Sequence, residues 1–278
     1  MWAVFVHDPS TNIPTEAPAT YLRRQAEIAA LATGPTGSPV HIDYTEEENQ
    51  TWADAQARLE PIWHRYAALE LLTARSNLDL PVDRIPQLAA VSQRLEILSG
   101  FRYASVAGTV PGHDFFAALG DRVFSSTQFI RWSGRPDYTP EPDVLHEVGG
   151  HAVALANPTL AELHRLAGMA SVVAPSQLTA IASVFWYSVE FGVLDTASGL
   201  KAYGAGLLSS PGELSWFADN AEIREISIDA MISTPYDISL YQPNLFGAES
   251  IDHVFDVVGS YYRQLIATTR TSAAPQTS

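Results

Sequence analysis

The chain contains no cysteine. That absence excludes disulfides, thiolate-ligated metals and a cysteine nucleophile, and it fits a cytoplasmic protein. Basic residues are few: 16 Lys and Arg stand against 31 Asp and Glu, a net charge of −15 in 278 residues. No basic cluster exceeds pairs such as Arg23-Arg24, so nucleic acid is not an expected partner. An acidic excess of this kind serves solubility. Long apolar runs are missing too. The start, Met1–Asp8, is short and lacks a basic n-region, so it does not read as a signal peptide. The stretch around Ala180–Leu194 is broken by Glu190 and several hydroxyls, and it reads as a buried helix rather than a membrane span. Apolar side chains are plentiful, at 46%, enough for one large domain with a filled core.

Residues 1–40 mix Pro, Thr, Ala and Gly, with a breaker run at Pro35–Pro39, and predict a loose N-terminal arm with one short helix near Tyr21–Leu31. Thr45-Glu-Glu-Glu48 has the acidic first turn of a helix, and Trp52, Ala55, Leu59, Ile62, Trp63, Tyr66 and Leu69 then recur at helical spacing as core positions. A helix from Pro86 to Leu95 follows, then a strand over Phe101–Val110 closed by Pro111-Gly112. Asp114–Val123, Pro158–Ala170 and the Glu190 segment read as helices, and Ile238–Tyr241 as a small sheet or loop. The tail over 269–278 is polar and expected to fray. Helix dominates and no repeat is present. The fold class is mainly α with a small β component (α+β), with 41–268 as its single domain.

The most informative stretch is Tyr138-Thr-Pro-Glu-Pro-Asp-Val-Leu-His-Glu-Val-Gly-Gly-His151. His146 and His151 make a plausible half of a metal site, and Asp143 a plausible N-cap for the helix that carries them. The zinc-protease pattern spaces its histidines four apart on one helix face. Five residues at roughly 100° each leave two side chains about 140° apart on a regular helix. Both can reach one ion only if His146 sits at the helix start or the helix is distorted. Glu190, the only charge in Ser183–Leu194, costs several kcal/mol to bury unless protonated, paired or metal-bound. Two imidazoles and one carboxylate form the ligand set of non-haem Fe(II) oxygenases. His164 lies about 27 Å beyond His146 along a continuous helix and reads as a surface or packing residue. His7, His41, His64 and His253 have no motif around them; the role of His113 is open.

Three blocks resemble the pterin-dependent aromatic amino acid hydroxylases, with phenylalanine 4-hydroxylases nearest. They are Thr127–Arg131 running into Tyr138–His151, then Phe185–Gly192, then Lys201–Ser210 with Gly212-Glu-Leu214. Weaker likeness lies in Ile85–Leu88, Thr234–Tyr236 and Gln242-Pro243, so the resemblance spans roughly 42–268. It implies a mostly helical catalytic domain that uses Fe(II) and a tetrahydropterin (tetrahydrobiopterin or a related pterin) to activate O₂ and hydroxylate the ring of a free aromatic amino acid. His146, His151 and Glu190 would be the metal ligands. Arg131 would hold the substrate carboxylate, with Trp186 and Phe191 as ring walls and Thr139, Pro140, Pro142 and Ile238 around them. Ser209 would steady His146 at the same pocket. Val106, Gly108, Phe115 and Glu147 would receive the pterin.

Departures from the family pattern bear on substrate. Gly149 stands where a bulky apolar residue is usual, Phe185 where a tyrosine is common, and Ser125 where larger rings occur; Val110-Pro111-Gly112 differs from the usual pterin loop. Trp186 fits phenylalanine and tyrosine hydroxylases, and Ile238 is apolar where tyrosine hydroxylases carry an aspartate. The expected reaction is L-phenylalanine to L-tyrosine, a phenylalanine 4-monooxygenase-like activity. L-tryptophan or another ring position of phenylalanine is the alternative. More distant rivals are a zinc hydrolase with Glu147 as general base and a non-catalytic pterin or amino acid binding protein. Missing regulatory and tetramerisation elements predict a monomer or weak dimer, with no membrane partner.

Overall fold

In the computed structural model, residues 17–34, 37–136, 139 and 141–272 are described. Local sequence explains most of the helix starts. Thr45 accepts the backbone N–H of Glu48 while the Glu48 carboxylate accepts that of Thr45, a reciprocal cap that opens Glu46–Tyr66. Trp52, Leu59 and Trp63 on its inner face are buried. Leu69–Leu78 and Leu88–Ser99 follow, the latter ending on Gly100 at φ 77°, a left-handed position that glycine adopts without strain. Gly112–Gly120 lies between strands β1 (Arg102–Ser105) and β2 (Val123–Ser126), which pair in parallel. The expected strand is thus shorter than Phe101–Val110, and the expected helix over Asp114–Val123 ends early because its last residues start β2.

The helix expected over Pro158–Ala170 runs from Pro158 to Val173. Its start is dictated locally. The Asn157 side chain accepts the N–H groups of Thr159 and Leu160, and Pro158 takes the first turn. The chain therefore turns back after Ala156 instead of continuing the preceding helix. Helix 158–173 crosses Gly112–Gly120 so closely that a Cβ on Gly168 would meet the Gly120 backbone at 2.1 Å. A second sheet joins β3 (Val193–Thr196), β4 (Gly199–Ala202), β5 (Glu222–Glu225) and β6 (Asn244–Ala248) in the order β4-β3-β6-β5, with only β3–β4 antiparallel. Ile238–Tyr241 is loop ahead of β6.

Residues 1–16 of the arm lie outside the described residues. The remainder is not loose. Its helix, Ala19–Ala29, is held by Tyr21 Oη donating to Ile130 O, by the Arg24–Glu48 ion pair at 2.9 Å, and by burial of Ile28 against Ile42 and Phe129. Ala and Pro content signalled a flexible segment, but one apolar side chain and two polar anchors dock it. At the other end helix runs on to Ser272, past the expected boundary at 268. Among the described residues no single helix is long and apolar enough to cross a membrane.

Three helical segments are widened into π-turns, Leu145–Ala152, Trp186–Glu190 and Phe255–Gly259, and the first two carry the residues of the site. The short helix Ala205–Leu208 presses on the first of them at Gly150, where a Cβ would stand 2.5 Å from Ala205 O. Gly150→Ala is therefore expected to cost about 1–3 kcal/mol of stability through backbone overpacking. A urea midpoint equal to that of the parent chain would show that the two segments are not in forced contact.

Candidate active site

The first π-turn resolves the spacing problem posed by the sequence. Its i→i+5 bonding widens each turn, so residues five apart return to nearly the same face. The His146 and His151 rings lie 4.7 Å apart at 87°. Asp143 starts this segment as expected, its Oδ1 accepting the N–H of His146 at 3.1 Å. The second π-turn delivers Glu190, closed by Phe191 N–H donating to Trp186 O at 2.9 Å. One donor atom from each of His146, His151 and Glu190 falls within a common 4.8 Å.

These three groups suit a cation. Burial, with the neighbouring His151 ring, pulls His146 down to about 4, and burial pulls His151 down to about 3, so both rings are neutral with lone pairs to give. Burial raises Glu190, against the opposing pull of His146 and His164. Glu190 Oε1 lies 3.0 Å from His151 Nε2 yet has no hydrogen-bond partner. Donor atoms facing one another without a shared proton are what a metal ion satisfies. Ser209 Oγ donates to Ala205 O at 2.8 Å, so it accepts from His146 Nδ1 at 2.9 Å, which leaves His146 Nε2 bare toward the triad.

Two clefts meet at this point. The larger encloses about 610 Å³, open to solvent, and its floor is His146 and Glu190. Arg131, Thr139, Pro142, Trp186, Phe191, Ser209 and Ile238 line it, so every substrate-pocket residue expected from the sequence is there except Pro140, which lies outside the described residues. Arg131 is no surface ion pair. It is 4% exposed and grips Asp143, itself fully buried, through Nε (2.9 Å) and Nη2 (2.8 Å). Burial alone would raise Asp143, but the Arg131 charge and hydrogen bonds outweigh it and hold the carboxyl below its usual range. The Trp186 indole stacks on Tyr236 at 4.5 Å and 14°, and leans on Phe191 at 4.5 Å.

The second cleft is lined by Val106, Gly108, Phe115 and Glu147, the four residues expected at the pterin, together with Ser125, Thr127 and both histidines. Burial first, then the Glu190 charge, raises Glu147 well above its usual range. Glu147 does not line the larger cleft, which removes it as a general base for a hydrolytic reaction there.

Sequence reasoning missed Glu141, Gly206, Ser210 and Glu213 in the first cleft. All four sit inside blocks already singled out, Glu141 in Tyr138–His151 and the others around Ser209, but no chemistry had been attached to them. Of the two readings given for His164, surface or packing, the structure has the second: it is fully buried, and the turn at Asn157 returns it to within 5.9 Å of the His151 ring.

Comparison with known proteins agrees with this geometry. The family model described as biopterin-dependent aromatic amino acid hydroxylase matches residues 5–277, which takes in arm residues that the three sequence blocks left uncovered. The chain belongs to this family. It is 42% identical over 248 residues to phenylalanine 3-hydroxylase of Streptomyces coeruleorubidus, covering 88% of each chain. It is 37% identical to tyrosine 3-monooxygenase of Bos taurus, covering 91% of this chain but spanning only about half (54%) of that longer protein. Among solved structures it resembles phenylalanine hydroxylase from Chromobacterium violaceum bound to cobalt, with a TM-score of 0.81, 28% identity, and 93% and 94% of the two chains covered. The hydroxylase is thus an aromatic amino acid monooxygenase whose cofactors are iron and a tetrahydropterin, and the His146–His151–Glu190 cluster fits the iron.

Two outcomes test the site. Glu190→Ala should melt cooperatively without metal, since it removes a buried carboxylate, but should lose the rise in melting temperature that Fe(II) or Co(II) gives the parent chain. An undiminished rise would remove Glu190 from the ligand set. Glu213, with one oxygen accepting from Gln242 N–H at 2.7 Å and the other unpartnered, is raised by burial from 4.5 to about 8. A carboxyl raised on folding stabilises fully below its unfolded value, and that stability is lost as pH rises through the folded one. Glu213→Gln should therefore gain on the parent chain by about 1–4 kcal/mol between pH 5 and 9 in denaturant titrations. A constant difference across that range would contradict the shift.

Proposed function

We propose that the hydroxylase acts on free L-phenylalanine, adding one oxygen atom of O₂ to its ring while a reduced pterin is oxidised. The observation that carries this reading is a guanidinium with one edge committed and another exposed to an aromatic-walled cleft. Asp143 occupies the Nε–Nη2 edge of Arg131 and fixes its plane, and Nη1 donates one N–H to Pro136 O at 3.3 Å; the remaining N–H groups of Nη1 and Nη2 would fork a carboxylate. Trp186 and Phe191 offer stacking surface for a ring, and Ile238 offers no hydrogen bond to a ring hydroxyl. A phenyl ring suits that surroundings better than a phenol.

His146, His151 and Glu190 would hold the iron with two neutral donors and one carboxylate, an arrangement that leaves coordination positions free. Iron and reduced pterin together supply the O₂ activation. The chain's own part is placement. Ser209 keeps His146 Nε2 aimed inward; Val106 and Gly108 would meet the pterin along its edge and Phe115 across its face. Burial raises the Glu147 carboxyl well above its usual range at the edge of the same cleft. Residues 41–268 would form the catalytic body, acting in the cytoplasm as a monomer or weak dimer, without nucleic acid or membrane.

The expected product from sequence is L-tyrosine. Oxidation at the meta carbon is a second reading, favoured by the 42% identity to a phenylalanine 3-hydroxylase over 88% of both chains. Iron-loaded protein with tetrahydropterin and air should convert phenylalanine faster than tyrosine or tryptophan. Co-elution with para- or meta-tyrosine decides the ring position. Arg131→Ala should raise the phenylalanine KM by 10-fold or more, roughly the loss of a charge-assisted hydrogen bond worth about 1.5–3 kcal/mol. Preference for tyrosine or tryptophan in the panel would overturn the substrate assignment.

A further inference from the structure

Each imidazole that turns Nε2 to a metal leaves Nδ1–H needing an acceptor. For His146 that acceptor is Ser209 Oγ. For His151 none is present: its Nδ1 is buried and unpartnered, and the ring is 2% exposed. One other unpartnered imidazole nitrogen lies against this ring. His164 Nδ1 stands 2.8 Å from Leu160 O, and a carbonyl only accepts, so Nδ1 carries the proton. In the neutral ring this leaves Nε2 as the acceptor, and it too is buried without a partner. The remaining rings around His164 are Phe101, Phe124 and Phe185, none of which can accept such a bond.

One unmatched donor and one unmatched acceptor thus belong to two neighbouring buried rings. Leaving both unmade costs the fold the desolvation of each group with nothing in return. The rings stand at 80° with centroids 5.9 Å apart. A small ring shift or one bridging water closes that gap.

We propose that His164 is the positioning residue for the metal ligand His151, its Nε2 accepting the His151 Nδ1 proton, directly or through one water, when a metal occupies the triad. The inference rests on the triad being the metal site. It gives the two histidine ligands separate outer partners: a hydroxyl from Ala205–Ser209 for His146, and an imidazole from helix 158–173 for His151. Metal binding withdraws charge from His151, makes its N–H a better donor, and so strengthens the bond when the ligand must be held. His164 is not itself a fourth ligand, since it falls outside the cluster of donor atoms.

The test is Co(II) titration of the full-length, metal-free protein, followed by the visible spectrum and by chelator competition, with melting of the metal-free form measured in parallel. His164→Phe keeps a ring and removes both nitrogens. His164→Asn keeps a polar atom near Nδ1, and His164→Gln one near Nε2. Phe and Asn should weaken Co(II) binding 10- to 100-fold, the usual effect of losing an outer-shell partner, and should shift the spectrum. Gln should restore both. The metal-free Phe variant should melt no lower than the parent chain, because it loses an unpaired buried nitrogen. Parent-like affinity and spectrum in His164→Phe would make His164 a packing residue and overturn the proposal. If the Phe variant does not fold, equal affinities for Asn and Gln overturn it instead. Failure of the parent chain to bind Co(II), or undiminished binding by Glu190→Ala, would overturn the metal-site reading itself.

Discussion

Everything at this site follows from a helix wound too wide. On a regular helix His146 and His151 diverge by about 140° and cannot share an ion. The π-turn over Leu145–Ala152 brings their rings to 4.7 Å, and a second over Trp186–Glu190 turns a carboxylate toward them. Such turns are poorer backbone structures than the α-helix and survive where surrounding contacts hold them. Here Asp143 fixes the entry by accepting the His146 N–H, and the backbone of Ala205 presses on Gly150 from the side. That contact also carries Ser209 to His146, so the force that constrains the turn supplies the partner that orients its first histidine.

Dryness then decides protonation. Both histidines are kept neutral mainly by burial, while burial raises Glu190 and leaves one of its oxygens unpartnered. Without a cation this is an unfavourable assembly of lone pairs; with one it becomes two neutral donors and a charge. The protein stores the cost of desolvation at the position where metal binding relieves it.

Legibility in the sequence tracked the range of the interactions. Thr45 with Glu48, Asn157 with Pro158 and the apolar spacing of Trp52–Trp63 act over a few residues, and their helices form where local chemistry puts them. The triad was readable because an isolated Glu190 in an apolar run and two histidines demand a common explanation. The π-turn was visible only as a need for distortion, since its geometry depends on Ala205 some fifty residues away. His164 was readable as a packing residue but not as a neighbour of His151, because the 27 Å separation holds only along a continuous helix and the Asn157-Pro158 break ends that helix. The short helix expected near Tyr21–Leu31 forms as Ala19–Ala29, but composition gave no sign that Ile28 docks it against Ile42 and Phe129. Strand β2 was hidden inside an apolar stretch that continues a helix by pattern and ends it by pairing with β1.

The Arg131–Asp143 pair joins recognition to metal holding through one carboxylate. Asp143 Oδ1 accepts from both Arg131 Nη2 and the His146 backbone, and Oδ2 accepts from the Arg131 backbone and Nε. All four bonds are made by a group with no exposure to water, where the loss of one partner leaves an uncompensated charge worth about 3–5 kcal/mol. The Arg131 guanidinium, which lines the larger cleft, and the helix that bears His146 therefore cannot shift independently. On the proposed reading, a carboxylate held by Arg131 would be registered to the His146–His151–Glu190 cluster by the same buried anion, with Trp186 and Phe191 as the wall beside it.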